Sequence, residues 1–397
     1  MSVKPTLEAF LATARNALRV PPAQRPKPLT FVVGNESADL DSLCSAVVYA
    51  FIRTNSAPYA LHIPLANLPR ADLAMRTEMT AVLQHAALTP EQLLTLTELP
   101  DPQQLQPHQD THWVLVDHNS PTSPVRKLGG QITGCVDHHV DEAFVDENVQ
   151  PRVIEPCGSC MSLIVDECRP AWQELREQME AAEHDKLIKL CLAPILLDTA
   201  NMTATFKVRP KDTRAVEFLQ QQMHDQAFDA SQYHDQIHAV QEDISALCFR
   251  DILRKDYKEW QEGGLTLGIS CVVRGFEFLL EKAGSNEQII LRELSSWAEN
   301  RSLDVAAVMT ASYPGGQFRR QLLLWGLNAR GIRAVKTFRE RSTQHLKLSP
   351  WHDGLLDRGE ERFAWVQLEL AASRKQVAPL LREALRLSSS EDEKDAM

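Results

Sequence analysis

Four apolar runs in the first half of the chain each end in a short motif of acids and histidines, and this pattern most narrows the folds open to it. The motifs read Gly34-Asn35-Glu36-Ser37-Ala38-Asp39-Leu40-Asp41-Ser42, Val116-Asp117-His118-Asn119, Val136-Asp137-His138-His139 and Leu197-Asp198-Thr199. Each follows an apolar run where a strand would end. Short buried strands alternating with helices predict a largely parallel sheet flanked by helices. In such sheets ligands bind beyond the carboxyl ends of the strands, where all four motifs then fall. The pattern predicts strands at 29–33, 113–116, 132–136 and 152–154, and helices over 41–53 and most of 158–183. A further apolar-rich helix, 186–197, delivers Asp198.

At 397 residues the chain predicts two α/β domains. The first, 1–215, carries the motifs; 216–239 reads as a helical linker; 240–390 forms a smaller second domain with strands near 265–273, 305–311, 321–325 and 362–370; and the acidic, Ser-rich 391–397 reads as a disordered tail. No stretch approaches the roughly 20 apolar residues that span a bilayer, so no membrane partner is expected. The N-terminal segment can form an amphipathic helix with Lys4, Arg15 and Arg19, but Glu8 weakens a mitochondrial reading, which places cytoplasmic first and mitochondrial second. The net charge of −11 argues against general nucleic-acid binding. It leaves room for an anionic substrate, because bound metal ions reverse the local field. The eight scattered cysteines read as free thiols. Cys157-Gly158-Ser159-Cys160 lacks the second pair of a zinc site and reads as a tight turn opening a helix. From Arg319 to Lys347, eight basic residues face one acid, Glu340. That stretch is either a solvated helix face or a track for a polyanion.

The motifs have a common chemistry. Asp39 and Asp41, two apart at a strand end, can face one cavity, although Asp41 or Ser42 would also serve as a helix N-cap. Asp117 follows Trp113-Val114-Leu115-Val116, where a carboxylate is costly unless solvated or bound to a cation. Of two adjacent histidines, His138 and His139, one can ligate a metal and the other touch substrate. Hard oxygen donors with one or two imidazoles suit Mg²⁺ or Mn²⁺. Two such ions about 3.5–4 Å apart can share a hydroxide and hold it in line with phosphorus.

The triplet Asp137-His138-His139 resembles the signature of the DHH phosphoesterase superfamily, and Ser373-Arg374-Lys375-Gln376-Val377 resembles the substrate-binding signature of the DHHA2 domain. Together they are similar to the group of family II inorganic pyrophosphatases, eukaryotic exopolyphosphatases and prune-type proteins. The first motif is most similar to that of fungal exopolyphosphatases; the pyrophosphatases place a His where this chain has Asn35. The resemblance implies two domains with the active site in the cleft between them, and removal of terminal phosphate from inorganic polyphosphate by two-metal activation of a bridging hydroxide. It implies metal ligation by Asn35, Asp39, Asp41, Asp117, His138 and Asp198, with Asp117 bridging, and catalytic roles for Asp117 and His139. Substrate would be held by His139, Arg374 and Lys375. Arg254 and Lys255, with Lys258 beside them, form a second basic cluster for the same task. The cofactors implied are two divalent ions, Mg²⁺ first, with Mn²⁺ or Co²⁺ as alternatives. Asn35, a harder and weaker donor than imidazole, favours Mg²⁺. A monomer is expected. The alternatives are a pyrophosphatase, or a prune-like nucleotide phosphodiesterase or interaction protein.

Overall fold

The computed structural model describes residues 4–101, 105, 110–121 and 123–395, which divide into two compact units, Met1–Gln241 and Glu242–Met397. Unit 1 opens with α1 (Leu7–Arg19), whose Leu7, Phe10, Leu11, Ala14 and Leu18 make one buried stripe behind the N-cap Thr6. Then come β1 (Leu29–Val33), α2 (Leu40–Thr54), β2 (His62–Leu65), α3 (Thr77–His85), β3 (Thr111–Val116), α4 (Ser123–Leu128), β4 (Gln131–Asp137) and β5 (Arg152–Ile154). Helices α5 (Cys160–Glu167), α6 (Arg169–Gln178), α7 (Ala181–Asp198), α8 (Pro210–Gln222) and α9 (Ala230–Glu242) follow.

The five strands lie in the order β2-β1-β3-β4-β5, and every neighbouring pair is parallel. Both faces are covered. Val32, Val114 and Val136 pack with α2, α5 and α7 on one side, and Phe31, Val33 and Leu115 join Ala14, Ala17 and Leu18 of α1 on the other. Burial on both faces is why these strands read as unbroken apolar runs. From β1 the chain moves outward to β2 and then returns to β3 on β1's other side. The β1/β3 boundary is therefore a topological switch point, where such sheets bind ligands.

Unit 2 contains α10 (Phe249–Lys255), β6 (Tyr257–Glu262), β7 (Leu265–Val272), α11 (Phe276–Lys282), α12 (Glu287–Asn300), β8 (Val305–Thr310), β9 (Arg320–Gly326), α13 (Ala329–Ser342), β10 (Leu348–Pro350), β11 (Arg362–Gln367) and α14 (Arg374–Asp395). Its six strands run β10-β11-β9-β8-β7-β6, antiparallel except for β7 with β8. Val308, Leu323 and Ala364 face α10, α11 and α12, while Leu322, Leu324 and Ile269 face α13 and α14.

Asp198 closes α7, the helix expected to deliver it. The structure departs from the sequence reading in three places. Helices α8 and α9 send Ala215, Val216, Leu219, Tyr233 and Ile237 into the first core, so 216–239 packs within unit 1. Residues 257–262, ahead of the strands expected in the second domain, form the edge strand β6. Helix α14 continues to Asp395 through the stretch read as a disordered tail, because extending a helix needs no new nucleus; residues 396 and 397 lie outside the described residues. All eight cysteines are free, as expected. Among the described residues, no helix is long and apolar enough to cross a membrane.

Candidate metal centre

The loop after β1 is tied down before any ion is considered. Gly34 is required by close approach: an added Cβ would lie 2.7 Å from the Cβ of Ser42 and 2.9 Å from its carbonyl oxygen. Asn35 is buried, and both ends of its amide are engaged. Its Oδ1 accepts from Ser37 N (2.9 Å) and Ser37 Oγ (2.6 Å), while its Nδ2 donates to Asp117 Oδ2 at 2.7 Å. The structure thus sets Asn35 beside Asp117 with its oxygen turned to its own loop. Buried Arg76 donates to the Ser37 carbonyl from below. Asp39, not Asp41 or Ser42, is the N-cap of α2, accepting from Ser42 N at 3.0 Å.

Asp41 points the other way along the first turn of α2 and meets the N-terminus of α5. Cys160 N donates to its Oδ2 at 2.7 Å; Ser159 Oγ (2.9 Å) and Met161 N (3.1 Å) donate to its Oδ1. A helix N-terminus is a favourable place for a carboxylate. Even so, burial and the neighbouring Asp117, Asp198 and Asp39 push the Asp41 carboxyl well above its usual range, against the opposing pull of the Cys160 amide. Four acids therefore converge, two of them, Asp41 and Asp117, buried.

Asp117 follows β3 with φ of 60°, a left-handed conformation uncommon outside glycine and asparagine and typical of functional loops. Ser42 Oγ and Asn35 Nδ2 both donate to its Oδ2 at 2.7 Å. Its Oδ1 lies 3.1 Å from His138 Nε2 and 3.7 Å from His139 Nδ1. His138 directs its Nδ1 to the Cys157 carbonyl at 3.0 Å, which leaves Nε2 facing Asp117 and, at 3.8 Å, Asp41 Oδ2. A backbone carbonyl on one nitrogen and the site on the other is how metal-binding imidazoles are oriented.

Asp137 serves as a support. Its Oδ1 takes the His138 and His139 amides and the His139 ring Nδ1 (2.7 Å), and its Oδ2 takes Asn119 Nδ2 at 2.6 Å. Burial acts to raise its pKa, but His139 beside it and His138 outweigh burial and hold the carboxyl well below the ordinary value. His138 and His139 differ in access: their side chains are 4% and 24% exposed. His139 is the one a ligand can reach. Asp198 stands half-buried at the end of α7, followed by Ala200, Asn201 and Met202, all with φ between 49° and 63°.

The residues present fit divalent ions. Asp117, His138 and His139 offer donor atoms within 4.8 Å of one another. Around them stand Asp41, Asp39 and Asp198, whose mutual repulsion a cation would relieve. Sequence reasoning missed the supports: Ser42, the α5 amides, Asn119, and Asp212, which accepts from Gly158 N and Ser162 Oγ. Ser42 and Asn119 lie inside the quoted motifs; nothing near Asp212 marks it.

Unit 2 gathers charge of the opposite sign. Arg374 opens α14 and holds Asp256 through Nη2 to Oδ1 (2.7 Å) and Nη1 to the carbonyl (3.2 Å). Lys375 follows, its amide donating to Ser373 Oγ at 3.3 Å. Lys255 at the end of α10, Lys258 on β6 and Arg320 on β9 are buried; Arg254 is half-buried. Burial lifts the Cys271 thiol on β7 to about 11; Arg374, Arg320 and Lys258 pull it down and Asp256 pulls it up, so three cations and one acid surround it. Several other members of the basic stretch have local partners. Arg341 reaches Glu383 at 3.2 Å, Lys347 reaches Glu369 at 2.8 Å, and Arg339 lies over the Phe363 ring. That is the arrangement of a solvated helix face.

The sequence matches the DHH family, N-terminal domain, over residues 30–195 and the DHHA2 domain over residues 235–384. It is 30% identical to a Schizosaccharomyces pombe protein provisionally named an exopolyphosphatase, over 91% of this chain and 92% of that one. It is 27% identical to the human protein named Exopolyphosphatase PRUNE1, over 96% of this chain and 79% of that one. A Methanothrix thermoacetophila protein named manganese-dependent inorganic pyrophosphatase is 24% identical over 70% of this chain and 80% of its own length. In fold the chain is similar to a Methanococcus jannaschii structure provisionally named a family II inorganic pyrophosphatase, with a TM-score of 0.61 at 18% identity, covering 90% of this chain and 99% of that one. The chain belongs to the DHH family, carries a DHHA2 domain, and is a metal-dependent hydrolase of that family.

Proposed function

We propose that this chain is an exopolyphosphatase that removes terminal phosphate from linear inorganic polyphosphate. The observation that carries the hydrolytic chemistry is the buried meeting of Asp41 and Asp117 with His138 Nε2, 3.1 Å from Asp117 Oδ1. The choice of polymer is supported by the names of the S. pombe and human relatives. Asp39, Asp41, Asp117, His138 and Asp198 would hold two divalent ions, with Asp117 shared. Bound there, such ions supply Lewis acidity and an acidified water. Their predominantly carboxylate donors favour Mg²⁺, with Mn²⁺ or Co²⁺ as substitutes.

The chain's own groups do the rest. Asn35 and Ser42 hold Asp117 Oδ2 and so orient its Oδ1. Asp137 fixes the His139 ring through Nδ1, leaving that ring, the more accessible of the pair, to contact the phosphate being cleaved. In unit 2, Arg374, Lys375, Arg254 and Lys255, joined by the buried Lys258 and Arg320, would bind phosphate oxygens. Buried cations with one acid among them gain most from an anion that neutralises them.

A second reading, pyrophosphate hydrolysis, is favoured by the M. thermoacetophila relative. Phosphate release with Mg²⁺ from long-chain polyphosphate and from pyrophosphate, side by side and with Asp117→Asn as control, separates the two. The proposal expects fast release from the polymer, little from pyrophosphate, and loss of release in the variant. Pyrophosphate as the better substrate would overturn it in favour of the second reading.

A further inference from the structure

Away from the strand-end centre, unit 1 holds a second group of metal-ligating side chains. His184, in the first turns of α7, is 0% exposed, and neither of its ring nitrogens has a hydrogen-bond partner. The next residue, Asp185, is buried and aimed at the loop after α8. Its Oδ1 accepts from the His224 amide at 2.8 Å and faces His224 Nδ1 at 3.1 Å, and its Oδ2 accepts from the Asp225 amide at 2.9 Å. The His224 ring stands edge-on to His184, centroids 5.2 Å apart at 81°. One donor atom from each of the three residues lies within 4.8 Å of the others.

We propose that His184, Asp185 and His224 form a second metal site, for a zinc-class transition ion, that ties the start of α7 to the loop after α8. Two imidazoles and a carboxylate are the donor types of a zinc site with three protein ligands and a water. Imidazole donors separate it from the carboxylate-rich strand-end centre, which suits harder ions. Two donors on one tetrahedral zinc, each about 2.0–2.2 Å from it, stand about 3.3–3.6 Å apart; the 3.1 Å between Asp185 Oδ1 and His224 Nδ1 needs only a small widening to reach that. The loop amides preset the carboxylate. The His184 ring, fully buried with both nitrogens unpartnered, can give a lone pair to an ion without breaking a hydrogen bond. His184 and Asp198 stand at opposite ends of α7, about 21 Å apart by helical rise, so the ion would be a staple, remote from the reaction.

Metal-stripped full-length protein, titrated with Zn²⁺ and followed by thermal unfolding, and with Co²⁺ and followed by visible absorption, tests the proposal. Asp117→Asn, which disables the strand-end centre, is the background, and it is compared alone and combined with His224→Gln or His184→Phe. Asp117→Asn alone should show a Co²⁺ band of low coordination number and a Zn²⁺-dependent rise of several degrees in unfolding temperature. Adding His224→Gln, at a partly exposed position, or His184→Phe, which keeps an aromatic ring against Trp172, should remove both. Affinity should fall more than about 100-fold, beyond the 10–100-fold cost of losing an outer partner. A band and shift that persist when His224→Gln is added, or that are missing from Asp117→Asn alone, would overturn the site. His184 would then be a neutral core ring edge-on to Trp172, at 5.9 Å and 87°.

Discussion

The two units solve opposite electrostatic problems with the same device. Unit 1 buries Asp41 among Asp117, Asp198 and Asp39, and burial together with those acids raises its carboxyl. Unit 2 brings Arg374, Arg320 and Lys258 around one thiol with Asp256 as the counter-charge. Each cluster concentrates charge of one sign. The first gains from cations and the second from anions, and a hydrolase of phosphoanhydrides must bind both. The units also differ in support. In unit 1 each functional group is clamped by a neutral donor or a neighbouring carboxylate: Asn35 and Ser42 on Asp117, α5 amides on Asp41, Asp137 on His139. In unit 2 the cationic side chains are held by contacts such as the Arg374–Asp256 ion pair and the bond from Arg320 Nε to the Leu370 carbonyl at 2.8 Å.

The division predicts separable defects. Asp117→Asn should lower turnover by on the order of a thousandfold, the scale of losing a group that stabilises transition-state charge, and abolish Mg²⁺ binding measured by calorimetry. Affinity for polyphosphate should change far less; an equal collapse of both would break the comparison. Next in size, Asp137→Asn should destabilise unit 1 by about 3 kcal/mol, because a buried charged hydrogen-bond network loses its centre. The Asp137 carboxyl is held below its ordinary value, so its contribution is complete above about pH 4 and is lost as pH falls through the lowered folded pKa. Denaturant midpoints of wild type and variant should therefore converge in acid; a constant gap would assign the loss to packing.

Arg374→Ala should raise KM for polyphosphate about 10–100-fold, the 1.5–3 kcal/mol of a charged hydrogen bond, while metal affinity stays unchanged. A fall in kcat with KM intact would move Arg374 from holding substrate to the reaction itself. Smallest is Arg341→Glu. Its partner Glu383 is exposed, and surface pairs contribute about 0–1 kcal/mol. Long-chain affinity and its salt dependence should shift less than about twofold. A large loss would restore the basic stretch as a polyanion track.

Much of unit 1 was legible in the sequence because its strands are buried on both faces. Continuous runs such as Leu29–Val33 and Trp113–Val116 leave little choice of state, and their polar successors mark the sheet edge. The edge strands were harder to read. β2 is four residues long and contains Pro64, and β6 alternates polar side chains that resemble an exposed helix. Helices α8 and α9 read as a linker because their apolar residues are few, although those few reach the core.

What the sequence determined by itself was a set of acids and histidines and where they fall: Asp39, Asp41, Asp117, His138 and His139 stand just beyond points where apolar runs stop. Tertiary structure decided where each one points. It turned the Asn35 oxygen to its own loop, gave the cap of α2 to Asp39, and set Asp41 on the amides of a helix about 120 residues away. It also brought His224 to Asp185 across α8. Local spacing governs periodicity and burial, whereas the direction of a side chain and its hydrogen-bond partners depend on chain segments that only folding brings within about 3 Å.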